Sequence, residues 1–175
     1  MKLSDKIRRA ILEEESQSYE KKKNYYSFEY FPPKTDQGVE NLLDRIERMG
    51  KTNPFWVDVT WNAGGVTSDI TLELCCHIQA YSGLDVMMHM TCTFMTREKI
   101  IESLDKAKAL GVRNILALRG DPPRGATDWV HNENGFNYAI DLVRFIKETY
   151  GDYFCIAVAG YPEVHLQAKS RHDDI

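Results

Sequence analysis

Polar side chains or glycine turns follow each of five apolar segments in the 175-residue sequence. Glu29 lies in the first segment, Thr60 near the end of the second, and His89 in the third. Arg119 ends the fourth segment and Tyr161 follows the fifth, each beside a glycine. In parallel α/β sheets, ligand-binding groups gather at the carboxyl ends of the strands. We therefore expect these residues to lie along one edge of the sheet. A domain with a purely structural role would not need polar groups collected there.

Glu29 stands inside the aromatic run SFEYFPPK, where a carboxylate is unexpected. Burying an ionised carboxylate without a partner is costly in free energy. Three interpretations follow: Glu29 faces water, it has a partner, or it holds a proton for a chemical purpose. The run alone does not distinguish between them.

Each candidate residue also has an interpretation that involves no chemistry. His89 is compatible with a core histidine bonded to a backbone carbonyl, and Asp58 and Thr60 with ordinary polar residues of a strand. The glycine pair at 64–65 is compatible with a simple turn, since neither a GxGxxG pattern nor a P-loop lysine accompanies it. The histidine spacings match no common ligand motif, so we expect no metal site.

Strand-like apolar runs alternate with helical patterns along the chain. The runs occupy residues 25–31, 55–61, 85–92, 112–119 and 153–159. The first four begin about 30 residues apart, which is the length of one βα unit. Thr96 is a predicted N-cap and Gly111 a predicted C-terminal stop of the third intervening helix. Residues 2–16 predict a helix laid against the domain, and another helix is expected to start after Pro162.

Alternating strands and helices predict a parallel α/β sheet. Two architectures remain open from periodicity alone. Five βα units can form a flavodoxin-like doubly wound sheet, which would make the chain a small binding module. They can also be the first five-eighths of a (β/α)₈ TIM barrel. We assign residues 1–24 to the amino-terminal helix and lead-in, and residues 25–175 to the α/β domain.

The composition is that of a globular protein without a nucleic-acid or membrane partner. The net charge of −4 gives no basic surface for nucleic acid. The four cysteines form no CxxC pair, which favours reduced thiols in a cytosolic protein. The amino terminus lacks an apolar signal-peptide core, and no apolar run approaches the length of a membrane span. We therefore expect a cytoplasmic protein.

Five motifs occur together in the order SFEYFPPKT, VDVTWNAGG, MMHMTCT, ILALRGDPP and VAGYPEVH. In this order and spacing, the sequence resembles the amino-terminal part of the catalytic domain of methylenetetrahydrofolate reductase, in its eukaryotic form. The resemblance covers about residues 24–175. It implies a (β/α)₈ barrel that holds FAD across the carboxyl ends of its strands, of which this chain contains about the first five βα units.

The resemblance also implies an activity. The family reduces 5,10-methylenetetrahydrofolate to 5-methyltetrahydrofolate with NADPH or NADH, in one-carbon metabolism that feeds methionine synthesis. It further implies a folate substrate and a homo-oligomer for the full-length enzyme, whose regulatory domain is absent from this sequence. The alternative hypothesis is a truncated isoform that acts only through association with the full-length enzyme.

The resemblance assigns the catalytic role to Glu29. Opening the five-membered ring of the folate needs a proton on the departing nitrogen, which a protonated carboxylic acid supplies well. An apolar environment favours the protonated form. Phe28, Tyr30 and Phe31 are the residues expected to provide that environment.

The remaining site residues are implied by matches to the same motifs. Asp121 is expected near flavin and folate, where its negative charge favours a cationic iminium ion. Thr60 is expected to contact both the flavin and the nicotinamide substrate. The full set of expected cofactor-binding positions is Thr60, Trp61, Ala63, His89, Arg119, Gly120, Asp121, Tyr138, Ala139, Tyr161, His165 and Asp174.

Overall fold

The computed structural model describes residues 1–16, 23–61, 68–122, 125, 129, 132–165 and 167–172. Within these ranges the chain alternates helices and strands. In chain order they are α1 (Leu3–Glu15), β1 (Ser27–Tyr30), α2 (Asp36–Gly50), β2 (Trp56–Val59), α3 (Ser68–His77), a π-helical turn (Ile78–Ser82), β3 (Val86–Thr91), α4 (Arg97–Ala109), β4 (Asn114–Leu118), α5 (Ala139–Tyr150) and β5 (Cys155–Val158). No helix in these ranges combines the length and hydrophobicity needed to cross a membrane.

The strands form one parallel sheet in the sequential order β1-β2-β3-β4-β5. A flavodoxin-like sheet places its first strand between the second and the third. The observed order therefore contradicts the doubly wound alternative. A sheet that grows in one direction is the order found in a (β/α)₈ barrel.

The hydrophobic core lies between the helices and one face of the sheet. Alternate strand residues point to opposite faces, and the ones that face the helices are almost fully buried. Val57, Val59, Met88, Ile115 and Ala117 belong to this core. Thr96 caps α4 by accepting a hydrogen bond from the backbone N–H of Lys99, as predicted. Gly111 follows that helix with φ +80°, as expected of a C-terminal stop.

The helix α1 lies across the amino ends of the strands. Asn114, at the start of β4, accepts a hydrogen bond from the backbone N–H of Leu3 at 2.7 Å. Its amide donates to the carbonyls of Met1 and Val86, each at 3.0 Å. The expectation that an amino-terminal helix packs against the domain is confirmed, and a buried asparagine makes the connection.

Asp85 forms a second anchor for α1, just before β3. Its carboxylate accepts hydrogen bonds from Lys6 Nζ at 2.8 Å and from the amino terminus at 2.7 Å. Burial alone would raise the pKa of Asp85, but these two cations together bring the pKa below its ordinary value of 3.8. The ionised carboxylate therefore stabilises the packing of α1.

Two local predictions were wrong. The strands are shorter than the apolar runs, since β1 covers Ser27–Tyr30 and not residues 25–31. The described residues after Pro162 form turns rather than a helix. Val164 has φ +82°, in the left-handed region, and the ring nitrogen Nδ1 of His165 accepts from the backbone N–H of Gln167 at 3.1 Å. A residue in the left-handed region, such as Val164, cannot continue an α-helix. The backbone N–H of Gln167 is also bonded to the His165 side chain instead of to a helix carbonyl.

Candidate active site

Three polar side chains from neighbouring strands meet on the sheet face opposite the helices. Glu29 on β1 is the register partner of Asp58 on β2, and His89 comes from β3. His89 Nε2 lies 3.4 Å from Asp58 Oδ1 and 3.9 Å from Glu29 Oε2. The side chain of Glu29 is 52% exposed, whereas that of His89 is only 7% exposed. A buried imidazole therefore stands between a buried and an exposed carboxylate.

The sequence is compatible with Asp58 as an ordinary polar residue of a strand, whereas the structure places it at this site. It is 9% exposed, and its Oδ2 accepts a hydrogen bond from Trp56 Nε1 at 2.7 Å. Its other oxygen faces His89. The sequence did contain an indication that Asp58 belongs to the site. Asp58 and Thr60 are two residues apart, and residues two apart along a strand lie on the same face.

The aromatic environment predicted for Glu29 was wrong in part. Tyr30 is buried in the core on the helix side, and Phe28 packs against that core. Both side chains alternate with Glu29 along β1, so they lie on the other face of the sheet. Phe31 shares the face of Glu29 but is 70% exposed. The Glu29 carboxylate thus lies beside polar groups and is half-exposed to solvent.

Several buried polar atoms at this edge have no hydrogen-bond partner among the described residues. They are Thr60 Oγ1, Trp61 Nε1, His89 Nε2, Thr91 Oγ1 and Arg119 Nε. His89 Nε2 is close to Asp58 but is not aligned for a hydrogen bond. Unpaired buried polar groups are rare in folded proteins and are commonly satisfied by a ligand or water. Their concentration at the carboxyl ends of β2, β3 and β4 indicates a binding surface.

Backbone contacts fix the position of Thr60 and Trp61 after β2. The backbone N–H of Thr60 donates to the carbonyl of Tyr30 at 2.9 Å. The hydroxyl of Thr71, in α3, donates to the carbonyl of Thr60 at 3.0 Å. The backbone is thereby held from both sides. The Thr60 hydroxyl and the Trp61 indole are left as free groups within the described part of the chain.

Arg119 and Gly120 follow β4 and lie against β3. Gly120 has φ +91°, and a Cβ atom there would stand 3.0 Å from Cβ of Thr91. Only glycine adopts this backbone without strain and allows such an approach. The Arg119 guanidinium lies over the rings of Trp129 and Tyr138, with its Cζ 4.1 Å and 4.6 Å from their centroids. Its Nη1 donates to Gln167 Oε1 at 2.8 Å.

Cys92 lies next to this turn but is not suited to nucleophilic chemistry. Its Sγ is 3.7 Å from the carbonyl of Arg119. Burial raises the pKa of the thiol to about 11, so the reactive thiolate is scarce at neutral pH. Cys92 is accordingly a residue of the hydrophobic core.

The remaining predicted residues fall into three groups. Tyr138 and Ala139 begin α5, where the Tyr138 N–H donates to Asp141 Oδ2 at 3.1 Å. The rings of Tyr161 and His165 contact each other at 4.6 Å, beyond β5. Asp121 is exposed, directly after Gly120. The structure brings Tyr138 to Arg119, whereas Tyr161 and His165 pair with each other. Two predicted cofactor-binding positions, Ala63 and Asp174, lie outside the described residues.

The sheet and the polar groups at its edge together indicate a class of protein. A parallel α/β sheet with unpaired polar groups at the carboxyl ends of its strands is a ligand-binding α/β domain. The sequence model described as "Methylenetetrahydrofolate reductase" matches residues 14–175. The chain belongs to the methylenetetrahydrofolate reductase family.

Curated relatives support the same assignment. The chain is 53% identical over 143 residues to methylenetetrahydrofolate reductase (NADH) 1 of Zea mays, covering 82% of this chain and 24% of the maize protein. It is 50% identical over 177 residues to methylenetetrahydrofolate reductase 1 of Schizosaccharomyces pombe, covering 100% of this chain and 27% of the yeast protein. A bacterial relative, 5,10-methylenetetrahydrofolate reductase of Pectobacterium carotovorum, is 40% identical over 151 residues, covering 85% of this chain and 47% of that protein. The chain thus spans about a quarter of the length of the eukaryotic relatives.

Proposed function

We propose that this chain carries the amino-terminal part of the site that reduces 5,10-methylenetetrahydrofolate to 5-methyltetrahydrofolate with NADPH or NADH. The single observation that carries the proposal is the placement of Glu29. Its carboxylate is exposed at the carboxyl edge of the sheet and stands 3.9 Å from the buried His89. Family membership supports the same reaction.

We also propose that the sheet is the first part of a (β/α)₈ barrel that binds FAD. The sequential strand order supports the barrel. The unpaired Thr60 hydroxyl, Trp61 indole and Arg119 Nε are suited to a ligand with many hydrogen-bonding atoms, as a flavin nucleotide has. Gly120 allows close approach of the backbone at the same edge. Bound FAD would supply hydride transfer between the nicotinamide substrate and the folate.

Glu29 is suited to deliver a proton to the folate. Ring opening leaves a nitrogen that must be protonated, and a carboxylic acid at the mouth of the site can reach it. The exposure of Glu29 also allows the acid to recover its proton from water after each turnover. Asp121, exposed after β4, adds a negative charge that favours the cationic iminium ion.

The substitution Glu29→Gln tests the assigned acid. The amide keeps the size of the side chain but carries no acidic proton. We expect folate reduction to fall by at least about a hundredfold, the usual contribution of a general acid. Reduction of the flavin by NADPH or NADH should stay within about twofold, because that half-reaction needs no proton from this side chain. Glu47→Gln is the matched control, since Glu47 is exposed on α2 and its ion pair among the described residues is with Lys51 at 3.5 Å.

The two half-reactions are measured separately by stopped-flow absorbance of the flavin. Full folate reduction by the Glu29→Gln variant would refute the acid role. A simpler experiment tests whether the residues of this chain hold FAD: the purified chain is examined by visible spectroscopy before and after anaerobic NADPH. A flavin band that bleaches supports the proposal, and a colourless folded chain contradicts FAD binding by these residues alone.

A further inference from the structure

The guanidinium of Arg119 is held by two aromatic rings, Trp129 and Tyr138, which we call the Arg119 clamp. Its Cζ atom lies 4.1 Å from the centroid of Trp129 and 4.6 Å from that of Tyr138. Both distances are within the range in which a cation is attracted to the face of an aromatic ring. Two such contacts restrict the plane in which the guanidinium can lie.

Trp129 makes a second contact that Tyr138 lacks. Its indole Nε1 donates a hydrogen bond to the carbonyl of Gly120 at 2.7 Å. One side chain therefore contacts two successive residues, Arg119 through its ring and Gly120 through its N–H. The hydrogen bond to the Gly120 carbonyl orients the peptide between Gly120 and Asp121, which determines where Asp121 begins.

The preceding peptide, between Arg119 and Gly120, is fixed by β3 and the residues that follow it. The backbone N–H of Thr93 donates to the carbonyl of Arg119 at 2.9 Å. A Cβ atom on Gly120 would stand only 3.0 Å from Cβ of Thr91, so the turn lies close against β3. Of these two successive peptides, the first is thus held by Thr93 and the second by Trp129.

Arg119 keeps a buried donor that the clamp does not use. Nη1 bonds to Gln167, while the buried Nε has no partner within the described residues. A guanidinium stacked on rings still presents its N–H groups in its own plane, where they suit phosphate or carbonyl oxygens. A fixed plane therefore gives that unused donor a fixed direction.

We propose that Trp129 is a positioning residue that holds the Arg119 guanidinium and the Gly120 carbonyl in the orientation the cofactor requires. Trp129 acts through these two residues and needs no contact of its own with the ligand. The inference rests on the proposed function, since the ligand would be the flavin nucleotide. It adds a residue that none of the five sequence motifs contains.

Two substitutions separate the contacts of Trp129. Trp129→Phe keeps an aromatic face for Arg119 and removes the hydrogen bond to Gly120. Trp129→Leu removes both contacts while keeping an apolar side chain. Tyr81→Leu is the control for loss of an aromatic ring, because Tyr81 is 80% exposed in the π-helical turn before β3 and its only ring contact in the described structure is His77.

The first measurement needs no cofactor. In the wild-type chain, ring currents should shift the side-chain δ-methylene proton signals of Arg119 upfield, and Arg119→Lys identifies these signals. We expect Trp129→Leu to move them toward unstructured values, and Trp129→Phe and Tyr81→Leu to leave them shifted. Unchanged Arg119 signals in Trp129→Leu would overturn the proposal.

The second measurement is FAD affinity by equilibrium dialysis, with thermal unfolding of each variant recorded alongside. We expect Trp129→Leu to weaken binding about tenfold and Trp129→Phe about threefold. Wild-type affinity in Trp129→Leu would overturn the positioning role and leave the proposed function intact. Absence of FAD binding by the wild-type chain would instead count against the proposed function, and the Arg119 signals would still decide whether Trp129 is a clamp. If Trp129→Leu does not fold, Trp129→Phe decides the outcome: wild-type affinity refutes the role of the hydrogen bond.

Discussion

Replacing Gly120 with alanine measures how closely the turn after β4 approaches β3. Gly120 has φ +91°, and a Cβ atom at this position would stand 3.0 Å from Cβ and 3.2 Å from Cγ2 of Thr91. The left-handed backbone costs a residue with Cβ about 1–2 kcal/mol. The forced contact adds about 1–3 kcal/mol, as other overpacked sites do. We therefore expect Gly120→Ala to lower the free energy of unfolding by about 2–5 kcal/mol.

Gly83→Ala is the matched control for this change. Gly83 has φ +66°, and a Cβ atom there would have nothing within 4 Å. It should cost only the backbone term of about 1–2 kcal/mol. Urea unfolding followed by circular dichroism gives both values, and their difference isolates the contact with Thr91. Equal losses in the two variants would refute the close approach of Gly120 to β3.

Three further predictions concern the amino edge and the thiols. Asn114→Leu removes the hydrogen bonds to Met1, Leu3 and Val86 and should cost roughly 2–4 kcal/mol in urea unfolding; a loss below about 0.5 kcal/mol would contradict the anchoring role of Asn114. The pKa of Asp85 is lowered in the folded state, so its contribution to stability is present above pH 3.8 and is lost as pH falls through the folded value. The stability difference between wild type and Asp85→Asn should therefore shrink with acidification below pH 3.8, and a difference independent of pH would refute the link. Burial raises the pKa of Cys92 to about 11 and that of Cys75 well above its ordinary value. Iodoacetamide should therefore modify partly exposed Cys155 before either of these thiols, and mass spectrometry showing early labelling of Cys92 would contradict its burial.

Much of the fold followed from local patterns. The alternation of apolar runs and helical patterns predicted the sheet and the helices α1 to α5, because each pattern reports on which face of its own element is buried. Thr96 and Gly111 marked the ends of α4 through their capping chemistry. The helix expected after Pro162 failed because sequence pattern does not reveal a left-handed residue such as Val164.

The candidate site was predicted less completely than the fold. The motifs identified the strand ends, and the structure places Glu29, Thr60, His89 and Arg119 there. They did not identify Asp58 as the neighbour of His89, since that contact depends on how β2 is aligned with β3. The motifs also led to the wrong expectation that Phe28 and Tyr30 surround the Glu29 carboxylate. Both side chains lie on the opposite face of the sheet, because side chains alternate along a strand.

The sequence by itself determined the α/β class, the order of the elements and the family, because local periodicity and short motifs carry that information. Only the tertiary structure decided the strand order, the face on which each side chain lies, and the neighbours it meets across strands. Those features depend on hydrogen bonds between residues far apart in the chain, such as Asn114 with Leu3. A shift of one residue in register would send every side chain of a strand to the other face. The meeting of Glu29, Asp58 and His89 is therefore a property of the sheet and not of any one motif.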